Sequence, residues 1–447
     1  MNFEVDLVRG KIVKPLLIFA LPILVSSLFQ QLYNTVDTII VGNVLGITSL
    51  AAMGACSEVY GLLIGFATGV GSGMSIVSAR NYGSGDMETL KKSVAGMITI
   101  SIGITVLLMM IAHFGLYPLL QLLNTPVEII GEAYSYISVI TVYIGVTIAY
   151  NTCAGMLRTV GDSFMALVFL IIASVLNVVL DLFFIIVLKT GIVGTAWATV
   201  IAQGVAAVLC FIYIAKEKNY LVPKKEHFKY DAGLYQELIA QGLSVGFITA
   251  FISIGNVVLQ RSINGLGYLV IAAHTAARKI NFFIMLPCTS IAGALAVFVP
   301  QNRGLDQKDR IRKGVKAGII CSFAWGITAA ILMIFFAEPL TVLLSGSTDS
   351  SVIANCRNYM IINAPFYGVL GTMFIFRYTL QGVGQKAMPL VSSLIEFAGK
   401  IIFVTIFIPQ LGYWGVIICE PIIWSMMCLQ LMGSYFRDPY MKRREPA

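Results

Sequence analysis

Acidic side chains interrupt several of the long apolar segments of this 447-residue chain. Placing a charged group at the middle of a bilayer costs at least about 2.5 to 3.5 kcal/mol. If these segments cross a membrane, such residues are expected to line a cavity, a proton path or an ion path. Five of the 22 acidic residues lie in such segments and are the first candidates for chemistry: Asp37, Glu58, Asp181, Glu396 and Glu420.

Two of these aspartates each end a polar triad at helical spacing. The triads are Gln30, Asn34 and Asp37 in one segment, and Ser174, Asn177 and Asp181 in another. Each triad shares one helix face, which is too polar to face lipid. Carboxylates with amide and hydroxyl oxygens around them suit a hard cation such as Na⁺, and two close carboxylates can share a proton. The alternative is a set of unrelated hydrogen bonds between helices.

The elements that must position these residues are membrane helices. Hydrophobic residues make up 58% of the chain and charged residues 12%, and the mean hydropathy is +0.86. A soluble domain is about one quarter charged. Apolar segments of about 20 residues are long enough to cross a bilayer, where only helices satisfy the backbone. We predict twelve spans: 15–42, 49–78, 93–113, 133–156, 164–188, 192–215, 238–261, 269–299, 317–336, 352–376, 388–408 and 413–436.

The basic residues give the orientation of the chain. With twelve spans, 24 of the 30 Lys and Arg residues fall on the side of the N-terminus. The positive-inside rule then predicts a multi-pass protein of the inner (plasma) membrane with both termini cytoplasmic. This topology explains the net charge of +8 without nucleic acid. The polar first fourteen residues and the lack of a cleavage site argue against a removable signal peptide.

The chain contains an internal repeat. At one constant offset Leu45-Gly46 aligns with Leu266-Gly267, and at a slightly larger offset 157–168 aligns with 380–391. Six spans per half give both halves the same sense in the membrane. We therefore expect an all-α membrane protein with twelve transmembrane helices in two six-helix lobes related by a pseudo-twofold axis along the membrane normal. The expected domains are an N-lobe at 1–215, a cytoplasmic linker at 216–233 and a C-lobe at 234–447.

Small residues and proline mark further features of the spans. Glycines at 61, 65, 69, 71 and 73 of the second span predict close packing of helices. Pro22 lies in the first span, and a proline inside a helix removes a hydrogen bond and bends it. It is a candidate hinge that responds to charge on Asp37, although prolines are also common in membrane helices.

These residues resemble those of the multidrug and toxic compound extrusion (MATE) transporters. The resemblance rests on residues 20–22 (Ala-Leu-Pro), the run Gln-Gln-Leu-Tyr-Asn-Thr-Val-Asp-Thr-Ile-Ile-Val-Gly at 30–42, the six-plus-six repeat, and Asn-Tyr-Gly at 81–83. It extends over essentially residues 14–436. Membership would imply a V-shaped pair of lobes, alternating access, and export of lipophilic, usually cationic compounds in exchange for H⁺ or Na⁺.

One branch of that family places its cation site in the N-terminal lobe. Its pattern matches Asp37, Asn177, Asp181 and Thr199, which would be the metal ligands if the ion is Na⁺, and Gln30 and Pro22 also match. Asn34 joins this set through its triad. The other branch uses carboxylates in the seventh and tenth helices, and 238–261 and 352–376 contain none. The resemblance therefore implies an N-lobe site.

Basic residues in the second half complicate the prediction of the charge of the substrate. Arg278 and Lys279 lie in the eighth span with His274, and the repeat alignment places Lys279 opposite Glu58. These four residues are candidates for the substrate cavity. A cation there without an acidic partner would repel organic cations, so the charge of the cargo stays open. The Glu396 and Lys400 spacing of four predicts mutual neutralisation.

Several other classes are disfavoured. The eight cysteines are scattered and the three histidines are far apart, so neither a disulfide framework nor a metal cluster is indicated. We expect no enzymatic activity, no cofactor beyond the coupling H⁺ or Na⁺, and a monomer whose partners are small amphipathic organic molecules and membrane lipid. Two alternatives remain: a flippase for lipid-linked precursors from the same superfamily, favoured by Arg278 and Lys279, and a membrane-embedded transferase, which would need a constellation that this sequence does not display.

Overall fold

The computed structural model describes residues 4–122, 125–345 and 349–442, apart from the side chains of Glu58, Leu122, Leu344 and Ser345. Within these ranges the regular structure is helical throughout. Continuous apolar segments and internally satisfied backbones explain this result, because a helix makes its own hydrogen bonds within one segment.

In the described residues of the first half there are seven α-helices. They are α1 (Val13–Val44), α2 (Ile47–Gly83), α3 (Met87–Leu122), α4 (Val127–Val142), α5 (Ile144–Thr159), α6 (Ser163–Leu182) and α7 (Ile192–Glu217). A π-helical stretch, Phe183–Val187, continues α6. The Asp162 carboxylate caps α6 by accepting a hydrogen bond from the Met165 backbone N–H at 3.1 Å. Two short 3₁₀ segments, Asn219–Leu221 and Lys225–Phe228, follow α7 in the predicted linker.

The part of the second half that the structure describes contains nine α-helices. They are α8 (Ala232–Asn264), α9 (Tyr268–Gly304), α10 (Lys308–Ser345), α11 (Ser350–Asn363), α12 (Tyr367–Gly382), α13 (Ala387–Ile402), α14 (Ile408–Leu411), α15 (Tyr413–Arg437) and α16 (Pro439–Lys442). A 3₁₀ turn, Ala364–Phe366, joins α11 to α12, and a π-helical stretch, Phe403–Phe407, joins α13 to α14.

The twelve-span prediction is confirmed. Eleven helical segments in the described ranges are long and apolar enough to cross a membrane, and α4 with α5, bent by 49°, makes the twelfth. The helices are longer than the predicted spans. At 1.5 Å per residue the 37 residues of α9 extend about 55 Å, well beyond an apolar core of about 30 Å. Their polar ends therefore continue outside the bilayer.

The repeat extends to the helix boundaries. The helices α2 and α9 both have 37 residues, and α5 and α12 both have 16 residues. In each pair, the first residues of the two helices are separated by the same offset that aligns the repeated sequences. A π-helical stretch follows both α6 and α13. The glycines that cap α7 and α15 share a left-handed backbone, with φ of 64° at Gly191 and 58° at Gly412. Shared boundaries and shared irregularities give a residue-by-residue register between the halves.

The chain forms two compact units. The first contains Met1–Asp6 and Leu21–Ala250, and the second contains Leu7–Ala20 and Phe251–Ala447. By this division residues 216–250 belong with the first unit and residues 7–20 with the second. The predicted boundaries at 1–215, 216–233 and 234–447 stay a prediction.

Two of the five glycines of the second span pack as predicted. A methyl group built on Gly73 would lie 2.8 Å from the Gly242 Cα, and one on Gly69 would lie 2.9 Å from the Gly246 Cα, both in α8. Gly65 touches α8 through its backbone only: its carbonyl accepts a hydrogen bond from the Thr249 hydroxyl at 2.9 Å, and a methyl group there would have space. The prediction was wrong for Gly61 and Gly71, where a methyl group would meet no described atom outside its own helix within 4 Å. Close packing at this span therefore depends on the face of α2 that approaches α8.

Candidate functional site

Asp37 is a buried carboxylate on a largely apolar helix. Its neighbours Leu32 and Ile39 in α1 are more than half exposed, whereas Asp37 is 4% exposed. The turn of α1 that carries Asp37 therefore presents its carboxylate to the interior of the first unit, and the apolar residues cover the other face. This orientation agrees with the cost of exposing a charge to lipid.

Asp181 of α6 meets Asp37. The residue is fully buried, and its carboxyl group lies in hydrogen-bonding contact with the Asp37 carboxyl group. Two ionised carboxylates have no proton to donate to each other. Across the described residues, neither Asp181 oxygen accepts a hydrogen bond from a protein donor. A buried carboxylate without a donor needs either a proton or a cation to satisfy it.

Asn177 links this acidic pair to α7. The hydrogen-bond network assigns its amide nitrogen as the donor to Oδ1 of Asp37 at 3.0 Å, with its amide oxygen accepting from the Thr199 backbone N–H at 3.3 Å. Asn177 is 3% exposed. The structure thus brings together four residues that the sequence singled out, although they lie on three different helices and Asp37 is far from the other three in the chain.

Two cavities flank this cluster within the first unit. The larger, of about 280 Å³, is lined by Asn34, Asp37 and Thr199. The smaller, of about 70 Å³, is lined by Gln30, Asn177 and Thr199. Ser174 also lines the smaller cavity. All of the predicted coupling residues except Asp181 therefore border a space that can hold water or a ligand, and Asp181 lies behind them.

Tyrosines complete the cavity walls, and sequence reasoning did not select them. Tyr33 and Tyr60 border both cavities, and Tyr136 borders the larger one. Tyr60 lies in hydrogen-bonding contact with Gln203, which also accepts a hydrogen bond from the Thr147 hydroxyl. Gln203 follows Thr199 by one helical turn, a polar spacing that the sequence already displays. No comparable signal marks the tyrosines, because aromatic residues recur throughout the apolar spans.

The oxygen ligands of the cluster fit a proton or a small hard cation. Two carboxylates, one amide and one hydroxyl are oxygen-rich ligands of the kind that Na⁺ accepts, and the carboxyl pair can share a proton. Among the residues that the structure describes, no group of three or more His, Cys, Asp or Glu side chains could hold a metal ion.

In the second unit, Arg278 has an acidic partner. Its Nη1 donates to Oε1 of Glu420 at 2.8 Å, and the Tyr359 hydroxyl donates to Oε2 of the same carboxylate. His274 Nδ1 lies 3.3 Å from the Tyr413 hydroxyl. The sequence left open whether Arg278 has an acidic partner, and α15 supplies a carboxylate from a distant part of the chain. Lys279 is exposed on α9, and the Glu58 side chain lies outside the described part.

The remaining predicted features have clear positions. Lys400 Nζ donates to Glu396 at 2.8 Å, which confirms their mutual neutralisation, and also to Asn256 Oδ1 at 2.7 Å. Pro22 lies inside α1, which continues through it from Val13 to Val44. The hinge role of Pro22 stays a prediction.

Comparison with known proteins agrees with this architecture. The chain is 26% identical to the probable multidrug resistance protein YoeA of Bacillus subtilis, over 94% of this chain and 92% of YoeA. It is 26% identical to the probable multidrug resistance protein YpnP of the same organism, over 92% of each chain. A crystal structure of MATE in the bent conformation matches with a TM-score of 0.89 at 23% identity, covering 98% of this chain and 98% of the other, and shares the fold.

A family model described as MatE matches the chain twice, at residues 22–183 and 245–406. The starting points of the two matches keep the offset of the internal repeat. Together the matches cover more than half of the sequence. This chain belongs to the MatE family of transporters.

Proposed function

We propose that this protein is a secondary active multidrug efflux antiporter. It exports lipophilic, often cationic organic compounds in exchange for H⁺ or Na⁺ by alternating access. Family membership and relatives named as multidrug resistance proteins support export of organic compounds. The ion coupling is supported by the acidic cluster of the first unit.

The observation that carries the proposal is the Asp37–Asp181 contact. Both carboxyl groups are buried, and the Asp181 oxygens have no protein donor among the described residues. A proton or Na⁺ taken up from one side of the membrane relieves this deficit. Asn177 and Thr199 would complete the oxygen set around Na⁺. Such a site is stable when loaded and costly when empty, which is the property a coupling site needs.

The same geometry links the ion to the cargo. Asp37 and Asn34 are one turn apart on α1 and border the larger cavity, so loading changes the charge at the cavity wall. An ion and a cationic compound then compete for the same negative charge. Mutual exclusion of this kind converts inward flow of the ion into outward flow of the compound. Pro22, four turns before Asp37, supplies a point at which α1 can bend.

The proposal includes the placement of the protein. We place it as a monomer in the inner (plasma) membrane with both termini cytoplasmic, because the basic loops then face the cytoplasm. Small amphipathic organic molecules and membrane lipid are its partners. The coupling ion is its only cofactor.

Transport into everted vesicles tests the proposal. Fluorescent organic cations are supplied with an imposed pH gradient or sodium gradient, for the wild type, Asp37→Asn and Thr35→Val. Thr35 is a matched control on the same helix, because it is exposed and its hydroxyl bonds the Gln31 carbonyl of its own helix. We expect gradient-driven uptake in the wild type and Thr35→Val and none in Asp37→Asn. Equal uptake by Asp37→Asn under both gradients would overturn the coupling assignment.

A further inference from the structure

The residues that line the larger of the two cavities beside the acidic cluster have counterparts in the second half at the offsets of the repeat. Four of these lining residues and their counterparts are Met53 and His274, Ser57 and Arg278, Tyr136 and Tyr359, and Thr199 and Glu420. The offsets are those that align α2 with α9, α4 with α11 and α7 with α15. The second unit therefore has three strongly ionisable groups where the first has neutral ones.

These counterpart residues form one organised cluster. Glu420 is 5% exposed and accepts from both Arg278 and the Tyr359 hydroxyl. Tyr359 is fully buried, and the His274 ring packs edge-on against it with ring centroids 5.4 Å apart. Buried, hydrogen-bonded partners hold the guanidinium in one orientation. A side chain fixed in this way is prepared to bind a ligand with little further ordering.

The cluster opens onto an exposed face of α9. The Arg278 side chain keeps 42% of its surface exposed although Glu420 binds it. Thr275, Lys279 and Phe282 are also exposed and lie at helical spacing on the same face. The Arg278–Glu420 pair is neutral, so Lys279 adds a net positive charge inside an apolar span. Lipid is a costly neighbour for that charge, whereas an anionic ligand would stabilise it.

We propose that this face of α9 binds the anionic oxygen group, a carboxylate or phosphate, of an amphipathic cargo. Lys279 supplies the net charge, and the exposed edge of the Arg278 guanidinium supplies directed donors. Phe282 and Phe283, 39% and 45% exposed, receive the apolar part of the same molecule. The cargo range of the protein thus includes acidic amphiphiles. This inference rests on the proposed transport function and specifies its substrate class.

Neither coupling aspartate has an acidic counterpart in the second half. At the offsets of the repeat, allowing for small shifts either way, Asp37 corresponds to positions 257–261 and Asp181 to positions 401–405, and none of these positions holds Asp or Glu. The first unit therefore carries the cation chemistry and the second unit the anion chemistry. One carrier could bind both types of cargo at separate places.

Binding to the purified protein in nanodiscs tests the inference without requiring transport. The probes are a boron-dipyrromethene carboxylic acid, its uncharged methyl ester and ethidium, and fluorescence anisotropy reports binding. The variants are Lys279→Gln, Lys279→Arg and, as a matched control, Lys313→Gln, which removes an exposed lysine near the start of α10. We expect Lys279→Gln to weaken acid binding about tenfold and to leave ester and ethidium binding unchanged. Lys279→Arg and Lys313→Gln should bind all three probes like the wild type.

The outcomes separate this inference from the proposed function. Equal binding of acid and ester by the wild type, or an equal loss for all three probes in Lys279→Gln, overturns the anion site. If ethidium moves under a gradient but the acid does not bind, the inference fails and the antiporter proposal stands. If the acid binds through Lys279 but no probe is transported under either gradient, the antiporter proposal fails.

A lipid headgroup has the same anionic oxygens, so the nanodisc composition is varied. With phosphatidylcholine alone and with added phosphatidylglycerol, the affinity for the acid should agree within twofold. A decrease of tenfold or more that Lys279→Gln abolishes would mean that anionic lipid occupies this face, and the assignment to cargo would be wrong.

Discussion

Asp37 of α1 and Asp181 of α6, far apart in the chain, place their carboxyl groups in hydrogen-bonding contact inside the first unit. The amide of Asn177 adds a donor to Asp37 at 3.0 Å, but within the described structure Asp181 receives no donor. The pair is therefore asymmetric. Asp37 is partly satisfied by protein and faces the larger cavity, whereas Asp181 depends on whatever enters the site.

In the proposed coupling mechanism the two carboxyl groups act on one ion, so the effects of their substitutions should not add. We expect Asp37→Asn and Asp181→Asn each to abolish gradient-driven efflux, and the double variant to lose no more than either single variant. Initial rates in everted vesicles, normalised to the amount of folded protein, measure this. Residual coupled efflux in one single variant that disappears in the double variant would show two independent groups.

Thr199 tests whether hydroxyl oxygen contributes to ion binding. Thr199→Val keeps the shape of the side chain and removes the hydroxyl, whereas Thr199→Ser keeps the hydroxyl. Losing one hydrogen-bond or ligand oxygen costs about 1 to 1.5 kcal/mol, which corresponds to about five- to tenfold in affinity. We expect the half-saturating ion concentration for efflux to rise by that factor in Thr199→Val and to stay near the wild-type value in Thr199→Ser. Equal behaviour of the two variants would remove Thr199 from the ion site.

Much of this architecture could be predicted from the sequence, because membrane spans depend on local composition. Five of the six residues of the two polar triads, all but Asp181, border the two cavities of the site, and the resemblance joined the triads to Thr199. The acceptor for Arg278 could not be predicted. Glu420 lies in the last span, far along the chain from Arg278, and no spacing rule connects residues on α9, α11 and α15.

The bend between α4 and α5 was also missed. A single apolar span at 133–156 was predicted, whereas α4 ends at Val142 and α5 begins at Ile144 with a 49° bend. Bends in helices are commonly read from proline, and residues 127–159 contain none. Packing contributes here, since a methyl group on Gly145 would lie 2.9 Å from the Thr105 Cγ2.

Gly73 should be essential for the close approach of α2 to α8. Gly73→Ala would drive a methyl group to 2.8 Å from the backbone of Gly242, which cannot rotate away, and such overpacking typically costs about 1 to 3 kcal/mol. Gly71→Ala is the matched control, because that position has open space around it among the described residues. Thermal unfolding in detergent should show a lower midpoint for Gly73→Ala only. Helix propensity and the entropy of the unfolded chain both favour alanine over glycine in a helix, so an equally low midpoint for Gly71→Ala would show that contact with α8 is not the cause of the loss.

Pro22 should affect the conformational step and not the ion site. Pro22→Ala restores a backbone donor inside α1 and removes the cause of a bend. The ion cluster lies four turns away, so we expect the ion affinity of the purified protein to stay within twofold of the wild type and the maximal efflux rate to fall at least fivefold. An unchanged efflux rate would make Pro22 an ordinary helix residue.

The buried pair Glu396 and Lys400 should show strong coupling in a double-mutant cycle. Lys400 is 3% exposed and is held by Glu396 and Asn256, while the Arg377 guanidinium lies 3.9 Å from Glu396. Lys400→Met leaves Glu396 with only the more distant Arg377, and breaking a buried pair typically costs about 3 to 5 kcal/mol. Adding Glu396→Gln removes the carboxylate but leaves Arg377, which is 3% exposed, without this acidic partner. Because both substitutions break the same pair, we expect the double variant to lose less stability than the sum of the two single losses. If the two losses simply add, the ammonium and the carboxylate stabilise the second unit through other partners.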